Sequence, residues 1–252
     1  MSGRHQDRRA LVTGAARGIG LAVAARLVAE GARVALVDVD GAELQRAAEG
    51  LGAAALPLVA DVADERAVER VVMAAADQLG GLDVVVPCAA IQQVGRDDRA
   101  DRLDADVWRA TIDVNLTGAF LTAKHGVRAL LGSGGGAVVF VGSPAGAYGI
   151  APGLDAYSAS KAGVAGLVRV MAADYAADAV RVNGVLPGIT ETPMNHWWMD
   201  DPAAVAGMAA RIPIGRPARA DEIAAVVSFV ASAEASYVTG ALWAVDGGLT
   251  AV

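Results

Sequence analysis

The sequence has 252 residues, enough for one large α/β domain or two small ones, and its 54% hydrophobic against 19% charged content excludes disorder as a general description. A formal net charge of −7 and a pI near 4.9 argue against a nucleic-acid groove, which relies on clustered Lys and Arg. The polar opening gives no sign of a signal peptide, no stretch of ~18 uncharged apolar residues offers a spanning helix, and the lone Cys88 rules out an intrachain disulfide and a multi-Cys metal site.

Short β-branched runs alternate with long Ala-rich helical stretches, which predicts a parallel sheet covered by helices on both faces. Strands are expected near Arg9–Thr13, Arg33–Val37, Ala55–Val59, Leu82–Val86, Ala137–Val141, Ala179–Val185 and Ala241–Val245. Helices are expected at Gly18–Glu30, Ala42–Gly50, Asp64–Leu79, Asp104–Leu131, Asp155–Ala177 and Asp221–Ser232, with Asp64 and Asp221 suited to N-capping. No linker, repeat or low-complexity segment interrupts this pattern, so residues 1–252 read as a single α/β domain: a doubly wound, seven-stranded parallel sheet in three layers, α/β/α. The irregular stretches are Gln92–Arg102 and Pro187–Pro217, and loops that long in a compact domain are usually functional.

Thr13-Gly-Ala-Ala-Arg-Gly-Ile-Gly20 follows the first strand and opens the first helix. Glycines there let the backbone turn tightly and approach a pyrophosphate, which would then sit at the positive helix N-terminus. Asp38 ends the second strand, where its carboxylate can accept hydrogen bonds from ribose hydroxyls and repel a 2′-phosphate. Asp40 adds negative charge nearby, so the expected cofactor is NAD, with NADP disfavoured.

Tyr157 and Lys161, four residues apart, share one face of a helix. A free tyrosine titrates near ~10, so a base near neutrality needs a shift of roughly 3 units, or about 4 kcal/mol. One positive charge ~4 Å away at an effective dielectric of ~20 supplies about that much.

Thr13–Gly20, Asp113-Val-Asn-Leu-Thr-Gly118, Val141-Gly-Ser-Pro144, Asp155–Lys161 and Pro187-Gly-Ile-Thr-Glu-Thr-Pro-Met194 together resemble the short-chain dehydrogenases/reductases, over essentially the whole chain. The resemblance implies a Rossmann fold and a catalytic set of Asn115, Ser143, Tyr157 and Lys161. In that family the Asn supports a kinked helix whose freed carbonyl holds a water linked to the lysine, the Ser bonds the substrate oxygen, the Tyr exchanges the alcohol proton, and the Lys tunes the Tyr and holds the nicotinamide ribose. Cofactor contacts are implied for Gly14, Arg17, Gly18, Ile19, Gly20, Asp38, Asp61, Val62, Ala89, Tyr157, Lys161, Pro187, Gly188, Ile189 and Thr192. Arg17 is the contrary hint, because a basic residue in this loop helps bind NADP in some relatives. The chain departs from the family at Pro87-Cys-Ala-Ala90, where most relatives carry Asn-Asn-Ala-Gly: Pro87 cannot donate at the strand end and Ala90 adds a methyl group beside the cofactor path. The interval from Ser143 to Tyr157 is one residue longer than in many relatives, which predicts a bulge.

Residues 187–217 would form a lid, with Asn195, His196, Trp197, Trp198 and Met199 over the substrate, and Gln92, Gln93 and Tyr148 bordering it. Such groups favour a sugar, polyol or other hydroxylated small molecule, oxidised at a secondary alcohol to its ketone or lactone. Two alternatives stay open: a 3-oxoacyl-carrier-protein reductase using NADPH, and a non-catalytic NAD-binding scaffold or sensor on the same fold. Glu234–Gly240 with Asp246-Gly-Gly248 is similar to the tail of bacterial glucose dehydrogenases, which serves assembly. Apolar faces on the helices expected at 104–131 and 155–177 point to a homotetramer. The expected compartment is the cytoplasm.

Overall fold

Leu11 and Val12 are both completely buried, yet they belong to two different hydrophobic clusters, because successive side chains of a strand point to opposite faces of the sheet. A sheet buried on both faces is the parallel, helix-covered kind. The computed structural model describes residues 3–251, without the side chains of Trp197 and Trp198. Its main sheet has seven parallel strands: β1 (Arg9–Thr13), β2 (Arg33–Asp38), β3 (Ala55–Val59), β4 (Val84–Val86), β5 (Gly136–Val141), β6 (Val180–Pro187) and, after a two-residue pair described below, β9 (Leu242–Val245). The order is β3-β2-β1-β4-β5-β6-β9.

One face carries α1 (Gly18–Ala29), α2 (Gly41–Leu51) and α10 (Ala220–Ala231), packed through residues such as Leu27, Leu44 and Ile223. The other carries α3 (Glu65–Leu79), α5 (Gly118–Gly132) and α7 (Asp155–Tyr175), packed through Val72, Leu130 and Val168. The strand order reverses between β1 and β4, so the loops leaving the carboxyl ends of β1, β4, β5 and β6 open on one crevice. Among the described residues no helix is long and apolar enough to cross a membrane.

The expected elements are present, with local corrections. The fourth strand starts at Val84 rather than Leu82, where the Leu82 N–H is taken by Ser133 Oγ at 3.1 Å instead of a neighbouring strand. The sixth starts at Val180, since Ala179 sits at φ +58°, outside strand geometry. The helix expected over Asp104–Leu131 is α4 (Ala105–Ile112) and α5 joined by a wide π turn over Asp113–Thr117, centred on Asn115. The stretch between Ser143 and Tyr157 holds a short helix, α6 (Pro144–Tyr148). The expected irregular stretch Pro187–Pro217 is partly ordered: β7 (Thr190–Glu191) pairs with β8 (Ala218–Arg219), and α8 (His196–Met199) and α9 (Pro202–Ala209) lie between them. That two-strand clamp brings the two ends of the segment together at its base.

Candidate active site

The turn after β1 is built by close approach of backbones. Gly14 has φ +68°, and a Cβ on it would lie 2.8 Å from Ala89 Cα; a Cβ on Gly20 would lie 2.1 Å from Gly14 O. Only glycine fits at either place. Arg17, at the N-cap of α1, makes no side-chain cap bond, so the helix N-terminus faces the crevice with its amide donors uncapped by side chain. Thr13 Oγ1 accepts from Cys88 N–H at 3.0 Å and Ala89 N–H at 3.2 Å, which hangs the chain beyond β4 beside this turn. Pro87 lacks a donor, but its carbonyl accepts from Val141 N–H at 3.1 Å, so the departure at Pro87 leaves the strand end bonded.

These elements line a cavity of about 600 Å³ with Gly14, Arg17, Gly18, Ile19, Gly20, Asp38 and Val39 at one end and Tyr157, Lys161, Pro187, Gly188 and Thr192 at the other. Asp38 Oδ2 accepts from Ala16 N–H and Oδ1 from Asp40 N–H, both at 3.1 Å, which fixes the carboxylate at the tip of β2. The Arg17 guanidinium is paired with the Asp40 carboxylate rather than turned into open space. A glycine cradle that any Cβ would fill, an open helix N-terminus and a fixed carboxylate at the next strand end are the features a dinucleotide needs, and they fit one.

A second cavity of about 430 Å³ adjoins the first, and Gln92, Tyr157, Pro187, Gly188 and Asn195 line both. Its walls add Ser143, Ile189, Ile150, Leu154, Met208 and Leu249, with Asp97 and Arg211 as charged members. Tyr157 therefore stands at the junction, with the Lys161 ammonium 5.8 Å from its ring centroid. Lys161 is buried and its Nζ donates to Val141 O at 3.0 Å. Burial holds that ammonium down at about 8, and burial pushes the Cys88 thiol up to about 11.

The four-residue spacing predicts that Lys161 lowers the Tyr157 phenol. Here burial dominates and raises it, because a phenolate loses its hydration in this cavity; the Ser143 side chain pulls the other way. Asn115 lies behind the cavities rather than on their walls. Its Oδ1 accepts from Ile91 N–H at 2.7 Å, and its Nδ2 donates to Ile91 O at 2.9 Å and Ser160 Oγ at 3.2 Å. It thus ties the chain after β4 to α7, from inside the π turn.

Other expected residues fall elsewhere. Asp61 is exposed and its Oδ1 accepts from Ala63 N–H, Val62 is buried under Gly118, and neither lines the cofactor cavity; Asp64, not Asp61, caps α3. Ala89 backs the Gly14 turn while Ala90 faces the cavity, and Ile189 lines the second cavity. Gln93 turns away to donate to Val107 O and Thr111 Oγ1 on α4. Tyr148 is 54% exposed at the end of α6, and exposed His196 places Nδ1 2.6 Å from Pro193 O; neither is on the cavity lining. The side chains of Trp197 and Trp198 lie outside the described structure. Asp97 was missed altogether, since its role is a contact across 60 residues that no local pattern announces.

A family model described as enoyl-(acyl carrier protein) reductase matches residues 14–250. The chain is 46% identical over 248 residues to a cis-4-hydroxycyclohexanecarboxylate dehydrogenase from Sinomonas cyclohexanicum, covering 98% of each protein. It is 40% identical over 245 residues to a galactitol 2-dehydrogenase (L-tagatose-forming) from Cereibacter sphaeroides, covering 96% of this chain and 94% of that one. Among solved structures, a 3-ketoacyl-(acyl-carrier-protein) reductase from Brucella melitensis complexed with NADH superposes with a TM-score of 0.91 at 30% identity, over 97% of this chain and 99% of the other.

Proposed function

The chain belongs to the short-chain dehydrogenase/reductase family, and from that premise we propose that it is an NAD-dependent oxidoreductase that interconverts a secondary alcohol of a small molecule and its ketone or lactone. The observation that carries the reading is the position of Tyr157 on the shared wall of the two cavities, with Ser143 on one side and Lys161 on the other. When bound, the nicotinamide would supply the hydride acceptor.

The chain's own residues do the rest. Gly14, Gly18 and Gly20 with the start of α1 hold the pyrophosphate, and Asp38 holds the adenosine ribose. Ile189 and Thr192 flank the nicotinamide half. Ser143 bonds the substrate oxygen, Tyr157 accepts the hydroxyl proton in oxidation and returns it in reduction, and Lys161 holds the nicotinamide ribose beside Tyr157. Asn115 supports this set through Ile91 and Ser160, from its place inside the π turn.

The relatives from Sinomonas cyclohexanicum and Cereibacter sphaeroides are both named as dehydrogenases of hydroxylated compounds, which supports the alcohol-oxidising direction. The acyl-carrier-protein reductase reading is favoured by the family description and by the Brucella melitensis structure. Asp38 opposes it, as does a net charge of −7, which repels an acidic carrier protein. Phe120, Val170, Trp108 and Leu131 are exposed apolar side chains on α4, α5 and α7, and a homotetramer in the cytoplasm would cover them; a monomer in light scattering at micromolar concentration would remove that part of the reading. The central test is a spectrophotometric screen of secondary alcohols, polyols and sugars with NAD and NADP, run beside Tyr157→Phe. Turnover in the wild type that Tyr157→Phe abolishes supports the mechanism. Cofactor binding with no turnover across the panel would leave the non-catalytic alternative standing.

A further inference from the structure

We propose that Arg211 anchors an anionic group, a carboxylate, on the substrate, so that the second cavity takes a hydroxy acid with an apolar body rather than a neutral polyol; this rests on the alcohol-oxidising reading above. Three arginines follow α9 within a short stretch, and two of them are spoken for. Arg216 forks onto Glu222 at 2.7 and 2.8 Å, and Arg219 holds Asp221 at 2.9 and 3.0 Å. Arg211 makes no ion pair and no side-chain hydrogen bond among the described residues, and it lines the same cavity as Ser143 and Tyr157.

Among the described residues Arg211 is the only cation on that lining, and it does not border the cofactor cavity. The one acid on the lining among the described residues, Asp97, forms no ion pair with it. Asp97 accepts from Ala156 N–H with Oδ1 at 3.1 Å and from Tyr157 N–H with Oδ2 at 2.9 Å, so both of its oxygens are committed to the start of α7. A guanidinium offers a planar fork of donors that matches a carboxylate edge to edge. Its base is held in place: Arg211 N–H donates to Met208 O at 3.1 Å, and the next residue, Ile212, is buried and donates to Ala209 O at 3.0 Å. The exposed Arg211 side chain therefore stands at the mouth of the cavity, on a fixed stem.

The apolar part of the wall favours a hydrocarbon body over a polyol. Ile150, Leu154, Met208 and Leu249 present hydrocarbon, and hydroxyls pressed against them would lose hydrogen bonds to water with nothing in return. Of the groups that favour a polyhydroxylated substrate in the sequence, Gln93, Tyr148 and His196 do not line this cavity, whereas Gln92 and Asn195 do, and the Asn195 side-chain amide N–H donates to Thr190 O at 2.9 Å. A volume of about 430 Å³ suits a small ligand. The fitting molecule places its reacting hydroxyl between Ser143 and Tyr157, its hydrocarbon against these walls and its carboxylate at Arg211.

The test measures binding without chemistry. Cyclohexanecarboxylate and cyclohexanecarboxamide, which lack the reacting hydroxyl, are titrated calorimetrically into the full-length protein saturated with NAD. The acid is expected to bind at least about tenfold tighter than the amide, and added salt should weaken the acid alone. Arg211→Gln should erase the difference, Arg211→Lys should keep part of it, and the melting temperature of each variant checks the fold. Equal affinities in the wild type, no binding of the acid, or an unchanged preference in Arg211→Gln would overturn the assignment. The redox reading is scored separately with 4-hydroxycyclohexanecarboxylate and cyclohexanol: acid-selective, Arg211-dependent binding without turnover of either leaves the subsite standing and removes the alcohol reading, whereas equal kcat/KM for both removes the subsite alone.

Discussion

The carboxylate of Asp97 accepts the backbone N–H of Tyr157 at 2.9 Å and that of Ala156 at 3.1 Å, from a loop 60 residues upstream in the chain. Leu154, at the N-cap position of α7, offers no side-chain acceptor, so a residue of the loop bordering the second cavity caps the helix that carries Tyr157 and Lys161. Loss of an N-cap costs about 0.5–2 kcal/mol. Asp97→Ala should lower the melting temperature by a few degrees and also reduce kcat, while Asp97→Asn, which keeps one carbonyl acceptor, should recover part of both. A fall in melting temperature with kcat and KM untouched in Asp97→Ala would reduce the contact to plain stabilisation.

The pH dependence of catalysis follows from the direction in which burial moves Tyr157. Its phenol is raised, so the unprotonated form needed to accept the alcohol proton grows only toward alkaline pH. The oxidative kcat/KM should therefore climb from pH 7 to 10, and the reductive one, which needs the protonated phenol, should fall over the same range. Tyr157→Phe should cut both by about 10²–10⁴-fold, the usual worth of a positioned acid or base, while NAD affinity measured by fluorescence stays within about twofold of the wild type, a free-energy change of roughly 0.4 kcal/mol. A flat oxidative profile would assign the proton to another group.

Buried Lys161 makes the opposite demands on stability and function. Its folded value of about 8 lies below the ordinary 10.5, so between those limits the unfolded chain binds more protons and stability rises with pH. Below pH 8 the cost of burying the ammonium is constant and of order 3 kcal/mol. Lys161→Met should accordingly raise the melting temperature at pH 7 by several degrees, abolish turnover, and flatten the rise in stability between pH 8 and 10. Thermal melts at pH 7 and pH 9.5 check this; a variant less stable than the wild type at pH 7 would mean that the bond to Val141 O outweighs the desolvation.

The sheet was legible because periodicity is local: each β-branched run and each Ala-rich stretch declares itself within a dozen residues. The glycine turn and the Tyr157–Lys161 spacing are local too, which is why motif and structure coincide there. The boundaries slipped where a side chain from elsewhere captured a backbone group, as Ser133 does at Leu82 and Asn183 does at Ala241. The lining of the second cavity was the least legible for the same reason. Gln93, seven residues past Val86, looked free to face a ligand, but α4 folds back to supply Val107 O and Thr111 as partners. Asp97 and Arg211, one engaged by α7 and one left open at the cavity mouth, are distinguishable only once the chain is folded.

On the NAD reading proposed above, cofactor choice would turn on Asp38, Asp40 and Arg17, which share one end of the first cavity. Asp38 is pinned by Ala16 and Asp40 N–H groups, so its charge cannot swing away from a 2′-phosphate. Arg17, the cation beside it on the described cavity lining, is already paired with Asp40. Both members of that pair are half exposed, so the pairing is worth little energetically and can be exchanged for a better partner. Asp38→Ala should therefore raise kcat/KM for NADP relative to NAD by at least about tenfold, a cost of about 1.4 kcal/mol that a single close charge readily supplies. Asp40→Asn, which leaves Asp38 intact but releases Arg17, should raise the NADP value by a smaller factor, and the double variant should exceed either alone because the freed guanidinium then faces the phosphate without a competing carboxylate. Initial rates with both cofactors at low ionic strength measure all four proteins. If the wild type already prefers NADP, Arg17 leaves Asp40 for the phosphate in solution and the charge argument from Asp38 fails; if Asp40→Asn changes nothing in the Asp38→Ala background, Arg17 does not reach the ribose at all.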